Sequence, residues 1–159
     1  MGRSTPAINA LVRTGVAHQV REIGHDPRVT AYGQEAAEAL GVDAARVFKT
    51  LVCSLGATLA IAVVPVTGEA DLRAVAAALG AKSAELADRA VAERATGYVV
   101  GGISPIGQKR RRATLIDESA TRWDTVFVSA GRRGLELELA PLDLVTLTAG
   151  RVVAICRPR

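Results

Sequence analysis

Cysteine is scarce in this chain. Only Cys53 and Cys156 occur among 159 residues, far apart and without C-x-x-C spacing. That argues against a disulfide scaffold and excludes a zinc ribbon. Histidine is equally sparse: His18 and His25 lie seven apart, with no second cluster to complete a metal shell, so neither a metal nor a cofactor is expected. Long hydrophobic runs are also missing. The longest, Leu59 to Val66, is eight residues and contains Pro65, whereas a membrane-spanning helix needs about 20 apolar residues. The segment from Met1 to Pro6 lacks the apolar stretch of a secretory signal. A cytoplasmic protein with no membrane partner is the expectation.

What is present fits one domain over residues 1–159. Hydrophobic residues make up 49% and charged residues 23%, which excludes disorder and low complexity. A domain of this size buries roughly 70% of its unfolded surface and needs no staples. The net charge is +4 with an isoelectric point near 9.6, the electrostatic footprint of a polyanion partner. Only three of the 20 basic residues are lysine: Lys49, Lys82 and Lys109. An arginine- and alanine-rich composition accounts for that bias without function, yet each retained lysine merits scrutiny.

Thr5-Pro6 reads as the start of a helix over Ala7–Arg13, ended by Gly15. His18 to Glu22 is a candidate strand, Asp26-Pro27 a turn, and Gln34 to Leu40 a short helix stopped by Gly41. Arg46–Ser54 and Leu59–Thr67 form the clearest hairpin. Ala70–Leu79 reads as an amphipathic helix and Asp88–Ala95 as a second short helix, and the segment from Tyr98 to Gly107 is rich in backbone breakers. Further strands are expected at Thr114–Ile116, Thr125–Ser129, Gly134–Leu139 and Arg151–Ile155, with a short helix over Leu142–Leu147. Helices inserted irregularly between strands indicate an α+β fold with a mixed sheet, not a doubly wound one.

Several residues could carry chemistry. Lys49 shares a strand face with Leu51 and Cys53. If that face looks inward, its ammonium sits at an apolar cavity and needs an anionic or carbonyl partner. An edge-strand lysine that discourages aggregation is the plainer alternative. In Gly101-Gly102-Ile103-Ser104-Pro105 two glycines let amides converge on an oxygen; an ordinary tight turn explains the pattern equally well. Lys109-Arg110-Arg111-Arg112 follows directly and suits phosphate contact or a solvated loop. Ser129 has no histidine placed to activate it and is not read as a nucleophile. Cys53 and Cys156 read as small core residues.

The segments Val47-Phe48-Lys49-Thr50-Leu51, Asp71 to Ala76, Ala78 to Lys82 and Thr96 to Lys109, together with Asp117 and Val128-Ser129 to Leu135, resemble the YbaK-type Cys-tRNA(Pro) deacylases. The likeness runs from about Pro6 to the C-terminus. It implies a curled mixed sheet approaching a barrel, flanked by short helices. It also implies a trans-editing factor that removes wrongly attached amino acid from tRNA(Pro), with prolyl-tRNA synthetase as a candidate partner. By resemblance Lys49 and Gly101 are catalytic, and Tyr32, Thr50, Gly102, Ile103, Ser104, Pro105, Ser129 and Glu136 contact substrate. Lys109, Arg110, Arg111 and Arg112 are assigned to tRNA phosphates. Two positions depart from the pattern: Ile23 replaces a pocket tyrosine and Glu136 a pocket aspartate.

The chemistry suits that role. A proline pocket discriminates poorly against small side chains, because one methylene is worth only ~1–3 kcal/mol, and a second editing site is the remedy. The family is thought to let a substrate thiol attack its own ester carbonyl, which needs positioning and oxyanion stabilisation and no Ser-His pair. An editing enzyme for Ala or Ser that uses water, and a non-catalytic tRNA or synthetase adaptor, remain alternatives.

Overall fold

Helix α1 (Pro6–Thr14) begins where its cap is built. The Thr5 hydroxyl accepts from the Ile8 amide at 3.1 Å, Pro6 occupies the first turn, and Gly15 closes the helix in the left-handed region. The same Thr5 hydroxyl donates to the Ala130 carbonyl at 2.6 Å and pins the helix start to a distant strand. The computed structural model describes residues 4–24, 28 and 32–159, without the side chain of Tyr32. His25 and the Asp26-Pro27 turn lie outside the described residues.

Ten strands among the described residues fit the α+β class, three of them (β4, β5 and β10) not expected from sequence: β1 (His18–Glu22), β2 (Phe48–Ser54), β3 (Leu59–Pro65), β4 (Gly68–Ala70), β5 (Glu85–Leu86), β6 (Thr114–Asp117), β7 (Val126–Arg132), β8 (Leu135–Leu139), β9 (Arg151–Val153) and β10 (Cys156–Pro158). The remaining helices are α2 (Tyr32–Leu40), α3 (Leu72–Ala78), α4 (Arg89–Thr96) and α5 (Pro141–Thr148). Strand order is β5-β2-β3-β6-β9 in the largest sheet, β1-β8-β7 in the second and β10-β4 in a small third. The largest sheet is mixed: β2–β3 is the expected antiparallel hairpin, whereas β3–β6 and β6–β9 are parallel. A bridge between Val47 and Phe127 joins the first two sheets and curls them toward a barrel.

Burial explains the strand sequences. In β3, Ile61 and Val63 enter the main core while Ala62 and Val64 pack on the α3 side, so both faces are covered and the run is almost wholly apolar. In β8, Leu135, Leu137 and Leu139 fill the main core, so the period of two turns Glu136 and Glu138 to the other face. Several boundaries shift from expectation, among them the start of β2 at Phe48, the end of β3 at Pro65 and the extension of β7 to Arg132. Two further shifts have a visible cause. Ala70 ends β4, and α3 begins after Asp71, whose carboxylate caps the Ala74 amide at 3.1 Å. Arg151–Ile155 breaks after Val153, because the Ile155 amide is held by Asp117 at 2.9 Å. No described helix is long and apolar enough to cross a membrane.

Candidate active site

A cavity of about 470 Å³ opens between β2, α2, the start of α4, the Tyr98–Gly107 loop and the β7–β8 turn. Lys49, Thr50, Gly101, Ile103, Ser129 and Glu136 all line it, drawn from positions up to 87 residues apart, and Ile23 joins them. The Tyr32 side chain lies outside the described part of the chain.

Strand β2 presents Lys49 by alternation. Phe48 and Val52 enter the main core, and Cys53 and Leu51 pack beneath α3; Lys49 shares the latter face and is half-buried at the cavity edge. Its ammonium makes no hydrogen bond with the described residues. Burial first, and then the charge of Arg159, lower its pKa from the ordinary 10.5, while Glu69 and Cys156 pull it up. Beside it the edge of β2 is open, since β5 covers only Cys53 and Ser54. The Val47 carbonyl bonds to Val66 and the Val52 carbonyl to Ala87, both at 2.9 Å. That parity turns the peptide groups of Thr50 away from β3 and toward the cavity. The Thr50 hydroxyl is itself buried and makes no hydrogen bond with the described residues.

The glycine loop is stiffened from within. The Tyr98 hydroxyl donates to the Ile106 carbonyl at 2.7 Å, and burial pushes its pKa up to about 12. Glu93 accepts from the Val100 amide at 2.7 Å and from Arg89 Nε at 3.3 Å with the same oxygen, which clamps the loop to α4. Gly101 adopts φ of 98°, in the left-handed region.

The structure separates the loop residues that resemblance had grouped. The Gly102 amide donates to the Val99 carbonyl at 2.8 Å and is unavailable to a substrate oxygen. Ser104 is fully buried, its hydroxyl accepting from the Ile106 amide at 3.2 Å, and Pro105 is buried beside it. None of these three lines the cavity. Gly102 is a packing glycine: a Cβ there would lie 2.7 Å from Arg132 Cα and 2.8 Å from the Arg133 nitrogen. Gly102→Ala is therefore expected to lose about 2–3 kcal/mol of stability through forced backbone movement. Urea denaturation checks this, and an unchanged midpoint would remove the packing role.

The basic run also lies apart. Lys109, Arg110 and Arg112 border a second cleft with Arg94, on the side of α4 away from the cavity. Arg112 reaches the Ala95 carbonyl at 3.1 Å and Arg111 the Leu147 carbonyl at 3.5 Å. The cations at the cavity are instead Lys49, Arg89, Arg133 and Arg159. The i,i+4 pair Arg89–Glu93 was visible as a spacing, whereas Arg159 carried no local signal. Arg133 is paired with Glu35 at 3.1 Å. The Ser129 hydroxyl accepts from the Gly131 amide at 3.1 Å, and no histidine stands among the described residues of the cavity. Cys53 is buried and its thiol pKa is raised by burial. Among the described residues no three His, Cys, Asp or Glu side chains gather as a metal shell would require.

The sequence profile of the aminoacyl-tRNA editing domain matches residues 25–147. The chain belongs to that family. One relative, named "Putative Cys-tRNA(Pro)/Cys-tRNA(Cys) deacylase EbsC" in Enterococcus faecalis, is 41% identical over 123 residues, covering 77% of this chain and 75% of the relative. YwhH of Bacillus subtilis, whose function is uncharacterised, is 29% identical over 127 residues, covering 78% and 80% of the two chains. A crystal structure described as "a putative trans-editing enzyme for prolyl tRNA synthetase" superposes with a TM-score of 0.85 at 23% identity, over 97% of this chain and 98% of that one. This likeness shows the fold, and with it the mixed sheets of the editing domain.

Proposed function

We propose that this editing domain hydrolytically clears, or cyclises, cysteine wrongly attached to tRNA(Pro), acting in trans in the cytoplasm beside prolyl-tRNA synthetase. The observation that carries the reading is one cavity holding a lysine that makes no hydrogen bond with the described residues, beside an open strand edge and with no nucleophile–base pair among its described walls. Such a site can position an ester and stabilise developing negative charge, but it cannot supply its own nucleophile. A substrate thiol can: sulfur bonds to the ester carbonyl, the bond to the ribose oxygen breaks, and the thiol proton ends on that oxygen. Intramolecular attack of this kind reaches effective molarities of about 10⁵–10⁸ M. Lys49 would stabilise the oxyanion, with the Gly101 amide beside it. The printed name of the E. faecalis relative supports cysteine as the target.

Deacylation of Cys-, Ala- and Ser-charged tRNA(Pro), alongside S-methyl-Cys-tRNA(Pro), tests the reading. Cysteine is expected to be removed and its S-methyl form to resist. Equal loss of the Ala and Ser esters would indicate water as the nucleophile, and no loss of any ester would indicate an adaptor.

The run Lys109–Arg112 is proposed to hold phosphates of the acceptor stem, since it flanks the helix that bounds the cavity without entering it. Replacing Arg110 and Arg111 by alanine should flatten the logarithmic salt dependence of tRNA binding by about 0.7–0.9 per lost contact. Turnover at saturating tRNA should hold. An unchanged slope would move the tRNA contact to other cations.

A further inference from the structure

Glu136 is a buried carboxyl that the deacylation scheme leaves without a task. Asp117, also buried, is engaged with the Ser119 and Ile155 amides at 3.1 and 2.9 Å. Glu136 is 8% exposed, lines the cavity, and makes no hydrogen bond or ion pair with the described residues. Two arginines nearby are engaged with other acids. Arg21, its register partner on β1, is bonded to Glu138 at 2.9 Å, and Arg133 is bonded to Glu35. The charges felt by Lys49 are those of Arg159, Glu69 and Cys156, not Glu136.

A buried polar group without a partner calls for a ligand group to complete it. The cavity wall also holds the Thr50 hydroxyl, which is buried and makes no hydrogen bond with the described residues. The two ask for different things: a hydroxyl can donate or accept, whereas a carboxylate that is mostly removed from water favours a cation. In an aminoacyl ester the amino acid's own cation is the α-ammonium, which every free aminoacyl-tRNA carries and an N-blocked one lacks. Resting on the reading of this cavity as an aminoacyl-ester site, we propose that Glu136 accepts the substrate's free α-ammonium. The editing domain thereby selects esters of free amino acids over N-formylated or peptidyl esters. Side-chain choice is left to the other walls.

The test compares Cys-tRNA with 3-mercaptolactyl-tRNA, in which a hydroxyl replaces the ammonium without added bulk and the thiol is kept. The wild type should favour Cys-tRNA by about thirtyfold in kcat/KM, the range of a hydrogen bond to a charged group. Glu136→Gln should lose a similar factor on Cys-tRNA and treat both esters alike, because the amide copies the neutral acid but cannot hold the negative charge. Glu136→Asp should recover part of the preference. Equal wild-type rates on the two esters would overturn the assignment while leaving the deacylase intact. So would a Glu136→Gln variant that keeps the wild-type preference. Absence of wild-type turnover on Cys-, Ala- and Ser-tRNA would instead overturn the reading of the cavity, and the assignment with it.

Discussion

Replacing Lys49 by methionine is expected to lower deacylation by about a hundredfold, roughly 3 kcal/mol of transition-state stabilisation, and to leave the fold intact. Methionine keeps an unbranched stem of similar length against β2, so packing is retained and the ammonium alone is removed. Burial already disfavours the charged form of Lys49, which makes no hydrogen bond with the described residues. The thermal midpoint of the variant should therefore match or exceed that of the wild type. Such a cation contributes little to holding the chain together and is available to a ligand. Lys49→Arg should also be poor, because a planar fork does not reproduce a point charge in a narrow site. Single-turnover decay of Cys-tRNA(Pro), read beside thermal denaturation, checks both halves. Full turnover by the methionine variant would place the catalytic charge elsewhere, with Arg159 and Arg89 the next cations at the cavity.

Glu136 should make the empty protein less stable as pH rises. Burial pushes its carboxyl pKa from 4.5 to about 8. The unfolded chain releases this proton near its ordinary value while the folded chain holds it. Between those two values the unfolded state binds fewer protons, so stability falls as pH increases. The full loss, reached above the folded pKa, is of order 4–5 kcal/mol. Glu136→Gln removes the titration and stays uncharged like the protonated acid. Its urea midpoint should match that of the wild type below the ordinary carboxyl pKa and exceed it increasingly toward pH 8. Parallel pH curves for the two proteins would show that the carboxyl ionises freely in the fold. A substrate ammonium binding at Glu136 should narrow the gap.

The loop from Tyr98 to Gly107 shows how far local pattern reaches. Two adjacent glycines suggested two amides aimed at one oxygen, yet the neighbours have different tasks. Gly101 lines the cavity with a positive φ, and Gly102 lets the backbone of Arg132 and Arg133 approach. A dipeptide cannot encode that division, because the approaching chain lies about 30 residues away in sequence. The basic run is similar: proximity to the loop suggested a shared site, and α4 stands between them.

Sequence by itself determined the α+β class, the ends of α1, the β2–β3 hairpin and the alternation that sets Glu136 and Glu138 on one face of β8. These follow from caps, turn residues and a period of two, which act over a few positions. The family motif around Lys49 and Gly101 was legible for the same reason: both segments are contiguous. Only the tertiary structure decided what meets at the cavity. Strands β4, β5 and β10 have two or three residues each, too few for a periodic signal, yet they place Glu69, Leu86 and Cys156 around the site. The equal-looking acids of β8 part company in the same way. Glu138 meets Arg21 and the Thr125 hydroxyl at 2.9 and 2.6 Å, while Glu136 faces the cavity. Which acid is paired depends on side chains delivered from other strands, and that is decided only in three dimensions.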